Sequence, residues 1–288
     1  MISALVASMR LKQWTKNLII FAGLIFSKHF FDYAYLRDSI LAFAAFCFAA
    51  SSVYLINDLL DIEQDKLHPI KKKRPLPAGK IRPIQVLMFS VLLALIALPL
   101  AFFLHKSYGL LLLFYWVMML AYSFKLKHVV IVDILIISAG FFLRAVAGAV
   151  VLNVMISRWL IACAIFLSLF LILAKRRSEI IELGGAAVNH RAILEEYGER
   201  FLDQMIAVVT ACTIITYVLY TLDPETIQKF QTHNLILTVP WVIFGIFRYL
   251  YLVYQHNLGG RPEIVLLTDR PLLLSIVFWI AASMVIVY

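Results

Sequence analysis

The stretch 83-PIQVLMFSVLLALIALPLAFFL-104 decides the fold class, because it runs for 22 residues without one charged side chain. An α-helix needs about 20 apolar residues to cross the hydrocarbon core of a bilayer. The whole chain shares this character: of its 288 residues, 63% are hydrophobic and 15% are charged. Soluble domains carry about 25% charged residues. We therefore expect an all-α, polytopic integral membrane protein.

Nine membrane crossings are predicted when the apolar runs are separated at charged or proline-containing breaks. They lie near 17–36, 38–66, 83–104, 107–126, 129–152, 158–180, 200–222, 234–256 and 271–288. Because little sequence remains outside these runs, residues 1–288 are expected to form a single transmembrane domain. The first run lacks a small-residue cleavage signature, so no removable signal peptide is predicted.

The Lys and Arg residues predict the orientation of these crossings. One face of a nine-helix protein carries 19 of the 26 Lys and Arg residues, and the other face carries five. Because an excess of Lys and Arg marks the cytoplasmic side, we expect the loops at 67–82, 125–128, 181–199 and 257–270 to face the cytoplasm from the inner membrane. The net charge of +9 is explained by these cations at the ends of the crossings. They form no basic stripe, so nucleic acid is not an expected partner.

Three carboxylates recur at the predicted end of the second helix, in 57-NDLLDIEQD-65. Asp58, Asp61 and Asp65 are spaced at i, i+3 and i+7. Asn57 lies four residues before Asp61, so all four side chains can line one helical face. Repelling charges near a bilayer need a compensating cation, and hard cations take oxygen ligands. Since magnesium usually binds through one or two carboxylates plus substrate phosphates, the motif is predicted to bind a magnesium-diphosphate complex.

The alternative interpretation of this motif is a solvated acidic helix end that Lys66 and Lys71–Arg74 balance. However, Asn-Asp-x-x-Asp-x-x-x-Asp at the end of the second of nine helices resembles the UbiA superfamily of intramembrane transferases. The segment 68–79 also looks like that family's loop after the second helix, and the resemblance covers essentially the whole chain. It implies a UbiA-like helical bundle in which the motif binds the magnesium-diphosphate of a donor through Asn57, Asp58, Asp61 and Asp65.

A second segment separates the branches of this superfamily. Its aromatic prenyltransferases have an Asp-x-x-x-Asp motif after the sixth helix, whereas this chain has 175-KRRSEIIELGG-185. Three consecutive cations are better suited to bind a second phosphate group than a second magnesium ion. Together with 13-QWTKN-17, 122-YSFKLKH-128, 259-GGRPE-263 and 268-TDRP-271, this segment resembles the decaprenyl-phosphate phosphoribosyltransferase branch. Members of that branch transfer phosphoribose from phosphoribosyl pyrophosphate to a polyprenyl phosphate.

The resemblance implies further contacts to the donor or to the lipid phosphate, without deciding which residue binds which phosphate. The candidates are Lys16, Lys71, Arg74, Tyr122, Lys127, Arg144, Lys175, Arg176, Arg177, Glu179, His190 and Arg191. The alternative for Lys127 is a cap that anchors lipid head groups, and for Lys175–Arg177 it is a topological signal. Arg144 shares a face of the fifth helix with Asp133 and either guides the acceptor phosphate or pairs with a neighbouring polar group.

The predicted reaction is a magnesium-dependent transfer of 5-phosphoribose to a polyprenyl phosphate, with release of pyrophosphate. Departure of pyrophosphate leaves oxocarbenium character at the anomeric carbon, and magnesium stabilises the leaving group. An ionised lipid phosphate is already a nucleophile, so no histidine is predicted to be an obligatory base. Two rivals remain at this point: prenyl transfer to an aromatic or other small acceptor, and transport of a lipid or anion. The sequence leaves the oligomeric state open.

Overall fold

The computed structural model describes residues 2–25, 30–67, 71–154, 157–183, 196–260 and 262–287. All regular elements in these ranges are helical, and eight segments are long and apolar enough to cross a membrane. These segments are Tyr33–Leu60, Pro83–Leu104, Lys106–Phe124, Val132–Val151, Arg158–Glu182, Glu199–Leu222, Asn234–His256 and Arg270–Val287. The prediction of an all-α, polytopic membrane protein is thus confirmed.

The α-helices are numbered in chain order. They are α1 (Ile2–Ser8), α2 (Phe21–Ile25), α3 (Tyr33–Leu60), α4 (Ile62–Leu67), α5 (Pro83–Leu104), α6 (Lys106–Phe124), α7 (Val132–Val151), α8 (Arg158–Leu183), α9 (Glu199–Leu222), α10 (Pro224–Phe230), α11 (Val239–His256), α12 (Pro262–Thr268) and α13 (Arg270–Val287). Short 3-10 helices lie at Leu11–Ile20, Lys71–Lys73, Leu126–His128, Asn234–Thr238 and Leu258–Gly260.

The predicted first crossing, near 17–36, is not one continuous helix in the described part of the chain. A 3-10 helix covers Leu11–Ile20, and α2 ends at Ile25. A new helix begins after Asp32, whose carboxylate caps α3 by accepting a hydrogen bond from the Ala34 amide. Ten residues is long for a 3-10 helix, which rarely exceeds three or four. Because this segment is broken, the described residues contain eight long crossings, and the count of nine is not confirmed.

The predicted second crossing, near 38–66, bends at Asp61. There α3 ends, and the φ of −99° and ψ of 10° place this residue outside the α-helical region. Backbone bonds still run across the bend, from the Asp61 amide to the Asn57 carbonyl and from the Asp65 amide to the Asp61 carbonyl. The acidic motif therefore spans α3 and α4, and the prediction of one uninterrupted helix is corrected to two helices joined at Asp61.

The chain consists of two compact units. Unit 1 comprises Met1–Ile136 and Leu143–Val154, and unit 2 comprises Ile137–Phe142 and Met155–Tyr288. In unit 1, α3 packs against α5, α6 and the first 3-10 helix. In unit 2, α8 packs against α9, and α11 packs against α13. The acidic motif thus belongs to unit 1, and the basic run after residue 174 belongs to unit 2.

Small residues let the helices of unit 1 approach α3 closely. Those buried on α3 are Ser39, Ala42, Ala45, Ala49, Ala50, Ser51 and Ser52. The Ser52 and Ser90 hydroxyls lie 3.0 Å apart, and the indole N–H of Trp116 donates to the Ser52 hydroxyl over 3.2 Å. A bilayer offers no water to such groups, so they satisfy one another. These bonds fix α5 and α6 against α3.

The first segment meets α7 backbone to backbone, also within unit 1. A Cβ atom on Gly148 would lie 1.9 Å from the carbonyl oxygen of Ile20, and one on Gly23 would lie 2.5 Å from the carbonyl carbon of Gly148. No real Cβ atom tolerates such distances. The observed packing of α2 on α7 therefore requires glycine at both positions.

Candidate active site

The acidic motif forms a largely buried cluster at the junction of α3 and α4. Asp58 is 4% exposed and Asp65 is 2% exposed, whereas Asp61 is half-buried. Burying an ionised carboxylate is costly unless cations and hydrogen bonds compensate for the lost hydration. The burial of Asp58 and Asp65 does not match the alternative of a solvated helix end.

Two of the compensating cations come from the loop that follows α4. Arg74 Nη1 donates to Asp58 Oδ1 over 3.0 Å and to Asp65 Oδ2 over 2.6 Å. Lys71 Nζ lies 3.5 Å from Asp65 Oδ1. Buried Leu76 anchors this loop in the core. The structure thus brings two predicted phosphate ligands, Lys71 and Arg74, into contact with the predicted metal ligands.

A third cation comes from the loop between α6 and α7. Lys127 Nζ contacts Asp61 Oδ1, and Asn57 Nδ2 donates to Asp61 Oδ2 over 2.9 Å. Lys127 is buried, whereas Lys125 is exposed. The sequence left open whether Lys127 is a site residue or a lipid anchor, and the contact with Asp61 favours the site. Tyr122 is buried at the end of α6.

The fourth cation, Arg10, was not among the predicted site residues. Its Nη2 contacts Asp58 Oδ1, and its guanidinium lies 5.0 Å from the centre of the Tyr54 ring. Arg10 has a left-handed backbone conformation, with a φ of 55°. The Trp14 indole N–H donates to Ser51, over 3.0 Å, which holds the N-terminal segment along α3. In the sequence, Arg10 looks like one of the cations that orient a membrane crossing, so no local pattern could identify it as a site residue.

The donor set fits magnesium, which takes oxygen ligands and usually binds through one or two carboxylates plus phosphates. Asn57, Asp58, Asp61 and Asp65 offer such oxygens within three helical turns. Among the described residues, no three Asp, Glu, His or Cys side chains converge on a point where they could hold a metal ion. This arrangement suits a metal that arrives with a phosphate-bearing ligand, because the ligand would complete the coordination.

The basic run of unit 2 has carboxylate partners of its own. Arg176 is buried and donates to Glu179 Oε2 over 2.7 Å, while Lys175 Nζ lies 3.9 Å from Glu179 Oε1. Predicted ligands Lys175, Arg176 and Glu179 therefore form one local ion-pair group on α8. Their predicted contact with a substrate phosphate stays a prediction.

Arg177 has a separate set of partners. It is 7% exposed, and it donates to Glu199 Oε1 over 2.8 Å and to Asp203 Oδ1 over 2.6 Å. Its guanidinium also lies 4.3 Å from the centre of the Tyr254 ring, and the Tyr254 hydroxyl donates to Asp203. Sequence reasoning missed Glu199 and Asp203, although their spacing of four residues on α9 was a visible signal of a shared helical face.

Arg177→Ala is therefore expected to lower the free energy of unfolding by about 1–3 kcal/mol. The reason is that Glu199 and Asp203 lose a buried partner, while their own partial exposure limits the loss. Arg177→Lys should restore part of the stability, because it keeps the charge but not the forked geometry. Thermal unfolding of the purified variants measures this. Arg200→Ala, at an exposed position on α9, is the matched control. Equal stability of the Arg177→Ala and Arg200→Ala variants would contradict the structural role.

A further ion pair of unit 2 joins α11 to the start of α13. Arg248 Nη2 donates to Asp269 Oδ2 over 2.8 Å, and Arg248 Nε donates to Asp269 Oδ1 over 3.1 Å. Asp269 Oδ1 also accepts the Leu272 amide. The hydrogen bonds from Arg248 hold the pKa of the Asp269 carboxyl below its ordinary value. This pair fastens the end of the chain and lies outside the predicted site.

Arg144 lies deep in unit 1 and is 4% exposed. Its Nε donates to Asn17 Oδ1 over 2.6 Å, and its Nη2 donates to the Tyr115 hydroxyl over 2.7 Å. The guanidinium thus contacts neighbouring polar groups, which was one of its two predicted roles. Asp133, on the same helix, is also buried. Predicted ligand Lys16 is half-buried beside Asn17.

Two predicted ligands, His190 and Arg191, lie outside the described residues.

Comparison with known proteins identifies the family of this chain. The sequence profile of the UbiA prenyltransferase family matches residues 17–180, which include the acidic motif, both flanking loops and the basic run. The chain belongs to the UbiA prenyltransferase family. Its relatives in that family include the decaprenyl-phosphate phosphoribosyltransferase of Mycolicibacterium smegmatis, which is 32% identical over 100% of this chain and 93% of the relative. The enzyme of the same name from Corynebacterium glutamicum is 32% identical over 99% of this chain and 86% of the relative.

Solved structures of UbiA proteins show the same fold. A UbiA homologue from Archaeoglobus fulgidus, bound to GPP and Mg²⁺, superimposes with a TM-score of 0.76 and covers 99% of both chains. Its sequence identity to this chain is 18%, so the likeness concerns the fold. This chain is therefore a multi-pass UbiA family transferase.

Proposed function

We propose that this UbiA family transferase moves 5-phosphoribose from phosphoribosyl pyrophosphate to a polyprenyl phosphate and releases pyrophosphate. The main observation in support is the site in unit 1, where three carboxylates contact four cations. The carboxylates are Asp58, Asp61 and Asp65, and the cations are Arg10, Lys71, Arg74 and Lys127. Such a site has carboxylates for a divalent metal and more cations than carboxylates for a polyanion. The phosphoribosyl donor and the polyprenyl acceptor are supported by the names of the full-length relatives.

The site residues divide into two roles in this proposal. Asn57, Asp58, Asp61 and Asp65 hold magnesium, which when bound supplies Lewis-acid stabilisation to the leaving pyrophosphate. In the structure, Arg74 and Lys127 contact the same carboxylates. In this proposal they donate hydrogen bonds to pyrophosphate oxygens, and so stabilise the negative charge that develops on the leaving group. The buried position of the cluster limits water, which strengthens these interactions. An ionised lipid phosphate needs no base at its oxygen.

The remaining candidates belong to the other phosphates of the two substrates. In this proposal, Lys175, Arg176 and Arg177 serve the ribose 5-phosphate or the lipid phosphate, with Glu179 orienting Arg176 through their 2.7 Å contact. The half-buried ammonium of Lys175 lies 3.9 Å from Glu179 Oε1. Alanine variants of these three cations that raise the KM for the donor without a matching loss in the free energy of unfolding would support this assignment.

An assay in membrane vesicles of known orientation tests both the reaction and the side on which it occurs. We propose that the site faces the cytoplasm of the inner membrane, since the nine crossings predicted from the sequence assign 19 of the 26 Lys and Arg residues to the face that includes its loops. Labelled phosphoribosyl pyrophosphate cannot cross a membrane. With magnesium and a polyprenyl phosphate, inside-out vesicles should therefore form labelled lipid, and right-side-out vesicles should not.

A parallel reaction with a prenyl diphosphate and 4-hydroxybenzoate separates the proposed reaction from aromatic prenyl transfer. Labelled prenyl product without labelled phosphoribosyl lipid would overturn the proposal in favour of that rival. Label in the lipid of right-side-out vesicles alone would instead overturn the orientation.

A further inference from the structure

The oxygens that a metal ion would need are the oxygens that the surrounding donors already contact. Asp58 Oδ1 accepts from Arg10 and Arg74, and both Asp65 oxygens lie against Lys71 or Arg74. The two oxygens of Asp61 contact Lys127 and Asn57. Five of the six carboxylate oxygens of Asp58, Asp61 and Asp65 therefore lie against a donor in the structure. A metal ion that binds through any of these five oxygens must compete with the donor already there.

A cation that a metal displaces from its carboxylate needs another anion to compensate its charge. The surroundings of Arg10 show the reason. Its side chain is 23% exposed, and it lies against the Tyr54 ring. The next residue back, Met9, is buried, and its carbonyl accepts a 2.9 Å hydrogen bond from the Ser51 hydroxyl. The backbone at Arg10 is therefore held in place, and the guanidinium cannot move freely into water. Losing Asp58 without gaining another anion would leave a partly buried charge uncompensated, which is costly.

A diphosphate supplies that anion. The four cations outnumber the three carboxylates by one, so the cluster is net positive before any ligand enters. A magnesium ion alone adds to this positive charge, and a diphosphate alone must compete with the carboxylates for the cations that they already bind. When both enter together, the metal takes carboxylate oxygens and the released cations take phosphate oxygens. Each ligand then raises the affinity for the other, and linkage requires this effect to be reciprocal.

We propose that Arg10 is a positioning residue that couples metal binding to diphosphate binding. It competes with the metal for Asp58 and transfers its hydrogen bonds to diphosphate oxygens when both ligands bind. This inference rests on the proposed function, because it requires that the site bind a metal-diphosphate. The consequence is that Arg10 opposes the metal alone and favours the metal-diphosphate complex.

Two binding measurements on purified, full-length protein test these opposite effects. The first titrates Mn²⁺ alone and follows the electron paramagnetic resonance signal of the free ion. Arg10→Gln should bind Mn²⁺ roughly 5- to 20-fold more tightly than the unchanged protein, because a competitor is gone. The second measures retention of ³²P-pyrophosphate at saturating Mg²⁺, where Arg10→Gln should bind roughly 10-fold more weakly through loss of one charge-assisted contact.

Lys12→Gln is the matched control, because Lys12 is an exposed cation two residues from Arg10 on the same segment. It removes the same charge and should leave both affinities within about twofold. Arg10→Lys should give intermediate values in both measurements, because it keeps the charge. This variant also provides the test if Arg10→Gln is poorly folded.

The outcomes distinguish this inference from the proposed function. If the unchanged protein binds neither Mn²⁺ nor ³²P-pyrophosphate with Mg²⁺, the proposed function fails. If it binds the pair but Arg10→Gln binds Mn²⁺ no more tightly than Lys12→Gln does, Arg10 does not compete with the metal and the inference is overturned. Tighter Mn²⁺ binding with unchanged pyrophosphate binding also overturns it, because the transfer to phosphate would not occur.

Discussion

Asp61→Asn is expected to lower turnover by at least ~100-fold, on the scale of losing one well-placed electrostatic stabiliser. The substitution preserves shape but removes the charge that Asp61 offers to a metal and to Lys127. Turnover is measured with labelled phosphoribosyl pyrophosphate and polyprenyl phosphate at saturating magnesium. Asp65→Asn should give a loss of the same order, because Asp65 is the most buried carboxylate of the motif.

Glu63→Gln is the control for this prediction. Glu63 lies between the two aspartates in sequence, but it is exposed and pairs with Lys66 over 2.7 Å. It should keep near-normal turnover, because exposed pairs contribute little. Near-normal turnover in the two aspartate variants as well would remove both residues from the metal site, whereas a loss in all three variants would show a general effect of charge.

Gly148→Ala is expected to destabilise the protein by about 3 kcal/mol, at the upper end of the usual cost of overpacking. Its Cβ atom would lie 1.9 Å from the Ile20 carbonyl oxygen, and backbone cannot move aside as a flexible side chain can. The first segment and α7 must therefore separate. The measurement is the midpoint of thermal unfolding of the purified protein in detergent, together with its elution profile.

Gly198→Ala provides the comparison for Gly148→Ala. A Cβ atom on Gly198 would meet nothing within 4 Å, and its φ is −74°, which any residue adopts. Its unfolding midpoint should match that of the unchanged protein. A Gly148→Ala variant as stable as Gly198→Ala would show that the first segment does not pack on α7 as described.

The long apolar helices could be predicted from the sequence because their signal is local. The predicted crossing at 83–104 coincides with α5, which begins at a proline and ends before His105 and Lys106. The acidic motif was likewise visible, since its spacing lies within nine residues. The broken first segment was harder, because its apolar composition does not distinguish a 3-10 helix from an α-helix, and the bend at Asp61 depends on backbone dihedral angles.

The partners of the charged groups could not be predicted, because they come from distant parts of the chain. Arg10 and Asp58 are 48 residues apart, and Lys127 and Asp61 are 66 residues apart. A cation beside a membrane crossing looks the same in sequence whether it orients the chain or neutralises a carboxylate. For the same reason, the sequence presented Arg177 as available for phosphate, although its charge is shared with two acidic side chains of α9.

The packing of the first segment on α7 also has a consequence for biosynthesis. Asn17 and Arg144, which are hydrogen-bonded, are separated by 127 residues. At about 5–20 residues per second, the ribosome needs roughly 6–25 seconds to make the partner of a segment that has already emerged. Until then, only the nearer contacts with α3, such as Trp14 to Ser51, can hold the N-terminal segment. Unit 1 is therefore completed only when α7 has been made, and until then its beginning must be kept in place by α3, by lipid or by the insertion machinery.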